Sequence, residues 1–427
     1  MPRSTRRRFI KQTLAAGIGV TAGLRPGAFA ANNKIRVACI GVRGRGNHVM
    51  KMFADQPDCD VTHICDVRKS MRELRSKEMK DLTGLEPKVV NDYRSLLDDK
   101  SIDAFMIGTP DHWHALLTIH GCLANKDVYV EKPASHNILE GKTAVAAARK
   151  NNRIVQLGTQ RRSAHFMIEA EEYVKSGAIG KVIFGKGWET SRNREVHLAP
   201  DSPVPEELDY EIWQGPCPER AHNETIVRGA WRWLFDYGTG DLGNDGIHRL
   251  DFCRQLMGLD AMPETISSAG GMLFFEDDQQ WPDTLLISYE YPGKVLQYEM
   301  RLWSKPKLFG VTEGSAVYGE NGWVLVTGRG WKAFDGDGKV VKESAGDRGG
   351  PKHVRNFLDA MRSRKRESLA QEIYSGHVVT TMCHAGHIAW RTGKKLRFDA
   401  KTETFDDRQA NNYLGREHRS GYELPAV

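Results

Sequence analysis

Several things are missing from this chain. No uninterrupted apolar run approaches the ~18 residues that would suggest a membrane span. Cysteine is sparse: seven residues, at 39, 59, 65, 122, 217, 253 and 383, with no C-x-x-C pair. An odd, scattered set is no disulfide scaffold. Cys39 falls in an apolar strand pattern and Cys122 in a helical one, so these thiols are expected in the core. Glycine (42) and proline (17) are too few for a collagen-like or low-complexity chain. No internal repeat is visible.

A sustained charge imbalance is also missing. The 427 residues carry 61 Lys+Arg and 55 Asp+Glu, a net of +6. Six of those basic residues, Arg3, Arg6, Arg7, Arg8, Lys11 and Arg25, lie in the first thirty positions, which hold no acid. The remainder is balanced, which argues against nucleic acid as a partner. The charged segment reads as an export signal. Thr5-Arg6-Arg7-Arg8-Phe9-Ile10-Lys11 fits the twin-arginine pattern, a weakly apolar stretch follows, and Ala28-Phe29-Ala30 is an A-x-A cleavage site. The expectation is residues 1–30 as signal, the export machinery as partner, a mature start near Ala31 and a periplasmic or other extracytoplasmic location.

What is present from Lys34 onward is alternation. Short apolar strands (35–40, 61–65, 88–90, 104–107, 127–130, 154–157) are separated by helical patterns (48–56, 69–82, 114–124, 138–150). This predicts a parallel, doubly wound Rossmann sheet over 31–155. Beyond it the strands lengthen (182–188, 284–291, 295–303), and Tyr291-Pro292-Gly293-Lys294 is a hairpin signal. An α+β domain with a large, mainly antiparallel sheet is expected over 156–427. Residues 199–218, with five prolines, read as a surface excursion.

The turn after the first strand, Gly41-Val42-Arg43-Gly44-Arg45-Gly46, is a dinucleotide fingerprint with Arg43 in place of the second glycine. Arg43 needs either a tolerated backbone angle or a phosphate contact. Asp66 ends the next strand, twenty residues beyond Gly46, where an acid bonds the ribose 2′-hydroxyl and favours NAD over NADP. Gly108-Thr109-Pro110-Asp111-His112-Trp113-His114 and Glu131-Lys132-Pro133 end the fourth and fifth strands, where open α/β sheets bind ligands. Gln160, Arg161 and Arg162 follow the sixth and are candidates for ligand hydroxyls. His377, Cys383, His384 and His387 suggest a metal, but no acidic or second Cys ligand adjoins them, so no metal is expected.

Together with Trp231-Arg232, the run from Asp236 to Asp251, and Ala410-Asn411-Asn412-Tyr413-Leu414, these elements resemble the Gfo/Idh/MocA family of sugar and polyol oxidoreductases. The resemblance implies that Lys132 lies beside the nicotinamide and that His248 is a general base with a pKa near working pH. It implies cofactor contacts from Gly41 to Gly46, Asp66, Thr109, Pro110, His114, Glu131, Trp231 and Arg232, with His112 structural. The family often carries Asp four residues before the histidine; here Asn244 stands there and Asp245 follows. On a regular helix, 244 and 248 share a face and 245 is rotated by about 100°. Asn244 would then face substrate, and Asp245 or Asp251 would orient the imidazole.

Export implies a cofactor folded in and retained. Three readings are weighed: an oxidoreductase acting on a sugar or polyol hydroxyl, an NAD-dependent glycoside hydrolase or lyase working through transient ring oxidation, and a non-catalytic carbohydrate-binding relative. A free sheet face predicts a homodimer or tetramer.

Overall fold

The computed structural model describes residues 34–190 and 195–427; the expected export signal lies outside them. The first region runs β1 (Ile35–Ile40), α1 (Gly44–Ala54), β2 (Cys59–Cys65), α2 (Lys69–Thr83), β3 (Lys88–Val90), β4 (Ala104–Ile107), α3 (Asp111–Leu123), β5 (Asp127–Val130), α4 (Ile138–Lys150) and β6 (Val155–Leu157). The six strands are all parallel, in the order β3-β2-β1-β4-β5-β6. The order reverses between β1 and β4, which opens a crevice at the carboxyl ends of the strands. The sheet extends two residues past the boundary expected at 155/156, since β6 ends at Leu157.

Burial on both faces explains why these strands are apolar throughout. Val37 and Cys39 of β1, and Ala104 and Met106 of β4, enter one core with α1; Ala38, Ile40, Phe105 and Ile107 enter the core on the other face.

The second region holds α5 (His165–Lys175), β7 (Val182–Thr190), α6 (Ile247–Met257), β8 (Thr265–Gly271), β9 (Thr284–Tyr291), β10 (Lys294–Arg301), β11 (Glu313–Gly319), β12 (Gly322–Val326), β13 (Gly330–Asp335) and β14 (Val340–Ala345). It continues with α7 (Gly350–Ser363), α8 (Ile373–Thr392), β15 (Leu396–Asp399) and β16 (Thr404–Phe405). Ten strands form one sheet, β14-β13-β12-β11-β7-β10-β9-β8-β15-β16, antiparallel except for β7 beside β10. Helix α6 lies close on β7, where a Cβ at Gly185 would meet Met257 Sδ at 2.4 Å.

Three expectations change. Helix α1 starts at Gly44 rather than 48, because its first turn is glycine packed on glycine. Residues 199–218 are no mere surface excursion: Leu208, Tyr210, Trp213 and Cys217 are buried with Ile226, Val227, Trp231 and Tyr237 in a small core of their own. And α7, late in the chain, belongs to the first region's core, where Val354, Phe357, Leu358 and Met361 pack with Val37, Met106 and Tyr129. All seven cysteines are buried and unpaired.

Candidate active site

The crevice begins at the β1–α1 turn. Gly41 has φ +76°, and a Cβ there would meet Thr109 N at 2.7 Å; a Cβ at Gly46 would lie 1.9 Å from Gly41 O, and one at Gly108 2.6 Å from Gly46 Cα. These three glycines therefore seat α1 directly on the ends of β1 and β4. Gly44 differs: at φ +47° it has nothing within 4 Å of its Cβ position. Its bare backbone faces the open cleft. Arg43 caps α1 at φ −91°, ψ 156°, ordinary extended backbone, so the missing second glycine causes no strain. Its guanidinium reaches Val227 O at 3.4 Å across the cleft. Arg45 is committed elsewhere, pairing with Glu131 at 2.9 Å. The first turn of α1 has no side-chain cap and no acid, so its amides and dipole are available to an anion.

Asp66 lines the same cleft. Its carboxylate accepts from the Val42 and Arg68 amides, each at 3.0 Å. Burial raises its pKa, opposed by those two bonds and by Arg72 and Arg68. Thr109 Oγ1 is buried there without a partner among the described residues. The residues fit a dinucleotide: glycine-bared backbone, a free helix start, and a ribose acid in one groove.

The opposite wall comes from the second region, with Leu208, Trp213, Val227, Trp231 and Arg232. The Arg232 guanidinium lies 4.1 Å from the Trp231 ring centre. Pro110 caps α3. His114 also lines the cleft, yet Nδ1 is 2.7 Å from Pro133 O and Nε2 2.9 Å from Thr109 O. It braces the ends of β4 and β5 against each other, a role that spacing alone did not suggest. His112 ties α3 to the second region through Trp213 O at 2.9 Å; burial lowers its pKa to about 3, so it is neutral.

At the far end, Lys132 follows β5. Its Nζ donates to the backbone carbonyl of Asn244 and, at 2.9 Å, to Asn244 Oδ1. Asn244 Nδ2 in turn donates to Asp245 Oδ2 at 3.1 Å. Asn244 thus holds the lysine rather than facing substrate alone. The expected angular relation also changes, because residues 242–246 form a wide π-helical turn before α6. His248 is 4% exposed, with Nδ1 buried and no hydrogen-bond partner among the described residues. Burial, then Arg161, Lys132, Arg249 and Arg45, hold its pKa well below the usual value. The expectation of a pKa near working pH is therefore overturned: the environment favours the unprotonated ring.

Asp251 does not orient it. That carboxylate is bound by Arg162 (2.7 and 2.8 Å) and Gln371 (3.2 Å). Gln160, Arg161, Asp245 and His248 are not among the residues lining the dinucleotide cleft, whereas Lys132 and Asn244 are. Arg161 is 7% exposed and faces Glu313 at 3.7 Å; burial and Arg249 push its pKa down to about 10. The histidines of α8 go to separate partners: His377 to Glu403, His384 to Ser135 O and His387 to Thr239 O.

Two family models match the chain. One, described as an oxidoreductase family with an NAD-binding Rossmann fold, covers residues 35–159. The other, the C-terminal alpha/beta domain of an oxidoreductase family, covers 178–281 and 326–424. The chain is 28% identical over 187 residues to a glycosyl hydrolase family 109 protein of Saccharopolyspora erythraea, covering 41% of this chain and 40% of that one. It is 25% identical over 345 residues to the myo-inositol 2-dehydrogenase of Thermotoga maritima, covering 79% and 86%. The chain spans about half the length of the first curated relatives it matches, or less. Among solved structures, an aldose-aldose oxidoreductase from Caulobacter crescentus superposes with a TM-score of 0.65 at 16% identity, covering 86% of this chain and 100% of that one. At that identity the likeness speaks to the fold.

Proposed function

The chain belongs to the Gfo/Idh/MocA oxidoreductase family with its NAD-binding Rossmann domain, and on that premise we propose that it oxidises a hydroxyl of a sugar, polyol or sugar derivative with a tightly held NAD. One observation carries the reading: Lys132 lines the glycine-bared cleft and is bonded to Asn244, four residues before a buried neutral histidine. Bound NAD supplies the hydride acceptor. The chain does the rest. The Lys132 ammonium stabilises negative charge on the reacting oxygen. His248, neutral at pH 7, accepts the hydroxyl proton as the carbonyl forms. Asn244 fixes the lysine, and His114 fixes the strand end that carries it.

The match to a glycosyl hydrolase family 109 protein favours a second reading. In it the same residues oxidise a ring carbon transiently, the adjacent C–H is acidified, the aglycone leaves, water adds and the hydride returns. Incubation of purified protein with sugars and aryl glycosides, without added NAD, separates the two. Absorbance of reduced nicotinamide without aglycone supports the first; aglycone release supports the second. The twin-arginine pattern supports export of the folded, cofactor-loaded chain, which a fusion of residues 1–30 to a reporter tests.

A further inference from the structure

The ribose end of the cleft is bridged from side to side. Arg68, two residues beyond Asp66, donates through Nη1 to Glu207 at 2.7 Å and through Nη2 to both oxygens of Glu224 at 3.0 Å. Both glutamates sit at the edge of the second region's small core, near its Leu208 and Ile226, 139 and 156 residues away in sequence. Backbone bonds flank the ion pairs: Lys69 N to Glu207 O at 2.8 Å and Asp209 N to Val67 O at 3.0 Å, with Asn91 donating to Asp209 at 2.7 Å. Glu224 is held from its own side by Arg228 at 2.8 Å. The same stretch supplies Leu208, Trp213 and Val227 to the cleft wall, and Arg68 itself lines the groove, so the bridge joins the two walls beside Asp66.

We propose that Glu207 and Glu224 latch the second region onto Arg68 over the ribose end of the cleft, and that opening this latch limits release of the dinucleotide. The proposal rests on the reading of the cleft as an NAD site and adds what keeps NAD there. The Arg68 side chain is 15% exposed but Glu207 and Glu224 are 38% and 27% exposed, so the two ion pairs are only partly shielded and stay open to screening by salt. Because both ends of the guanidinium are taken by carboxylates, Arg68 has little to offer a 2′-phosphate. One residue therefore serves both retention and the preference for NAD.

The test uses the full chain loaded with NADH, whose release is followed by energy transfer from tryptophan, since Trp213 and Trp231 line the cleft. In the double variant Glu207→Gln/Glu224→Gln release should accelerate about tenfold or more, and NADP should bind more tightly. The exposed neighbour Glu206→Gln should leave release unchanged. For the unaltered protein, raising the salt concentration should speed release, because the latch is ionic. Release equal to wild type in the double variant, or independent of salt in the wild type, overturns the latch. A wild-type protein that binds neither NAD nor NADH overturns the dinucleotide reading itself.

Discussion

The two ends of the cleft each present a cation, and they treat it in opposite ways. At the ribose end Arg68 is matched by two carboxylates. At the reactive end Lys132 is held by two oxygens of one neutral residue, Asn244. An ion pair cancels the field a cation projects, whereas an amide orients it and leaves the charge in place. Arg68 therefore bridges two parts of the chain, while Lys132 keeps a charge that, in the proposed reaction, it offers to a developing oxyanion. His248 completes the contrast: burial first, and then the cations around it, hold its pKa below the ordinary value, which favours the unprotonated ring that can take a proton.

Breaking that contrast at the reactive end should have the largest effect. Lys132→Met should cut kcat by about 1,000-fold, with NAD content, measured after denaturation, unchanged. His248→Gln should cost about 100-fold. In the wild type the depressed pKa means that the base form persists as pH falls through 6.5, so kcat/KM should hold there and fall only in more acidic solution. A profile that drops near pH 6.5 would mean that substrate returns the histidine to its ordinary value. At the ribose end, Asp66→Ala should lower the preference for NAD over NADP by about tenfold or more, read from equilibrium binding of both. The smallest change tests the contrast most directly. Asn244→Asp sets a carboxylate against Lys132 and should slow kcat by about tenfold through cancelled charge; an equal or faster variant would show that the amide's neutrality is not what matters.

Much of the first region was legible because its strands are buried on both faces and so read as apolar runs, and because the Gly41–Gly46 turn, Asp66 and Lys132 are local signals at strand ends. The start of α1 was misplaced since Gly44 and Gly46 have poor helix propensity, and Gly46 is held instead by contact with Gly41 and Gly108. In the second region β8, β13 and β14 were not anticipated. β8 ends on two glycines, and β14 is largely exposed, so neither shows clean alternation. The π-helical turn at 242–246 upset the assumed geometry of Asn244 and His248, and no sequence period marks it. The Arg68 bridge was invisible for a simpler reason: its partners are more than a hundred residues away. Five prolines between 199 and 218 suggested a loop, but Leu208, Tyr210 and Trp213 among them were the available hint of a packed wall.

The placement of α7 has a consequence for how the chain is made. One face of the parallel sheet is completed by Val354, Phe357, Leu358 and Met361, which leave the ribosome more than two hundred residues after β4. Until then Val37, Met106 and their neighbours lack their full cover, so the first region cannot mature as an independent N-terminal unit of the kind that usually folds first. Arg355 and Arg362 then fasten the helix to Asp58. A finished nucleotide-binding half thus certifies that translation has passed residue 363, and a chain truncated before it would carry an exposed apolar sheet face for quality control to recognise.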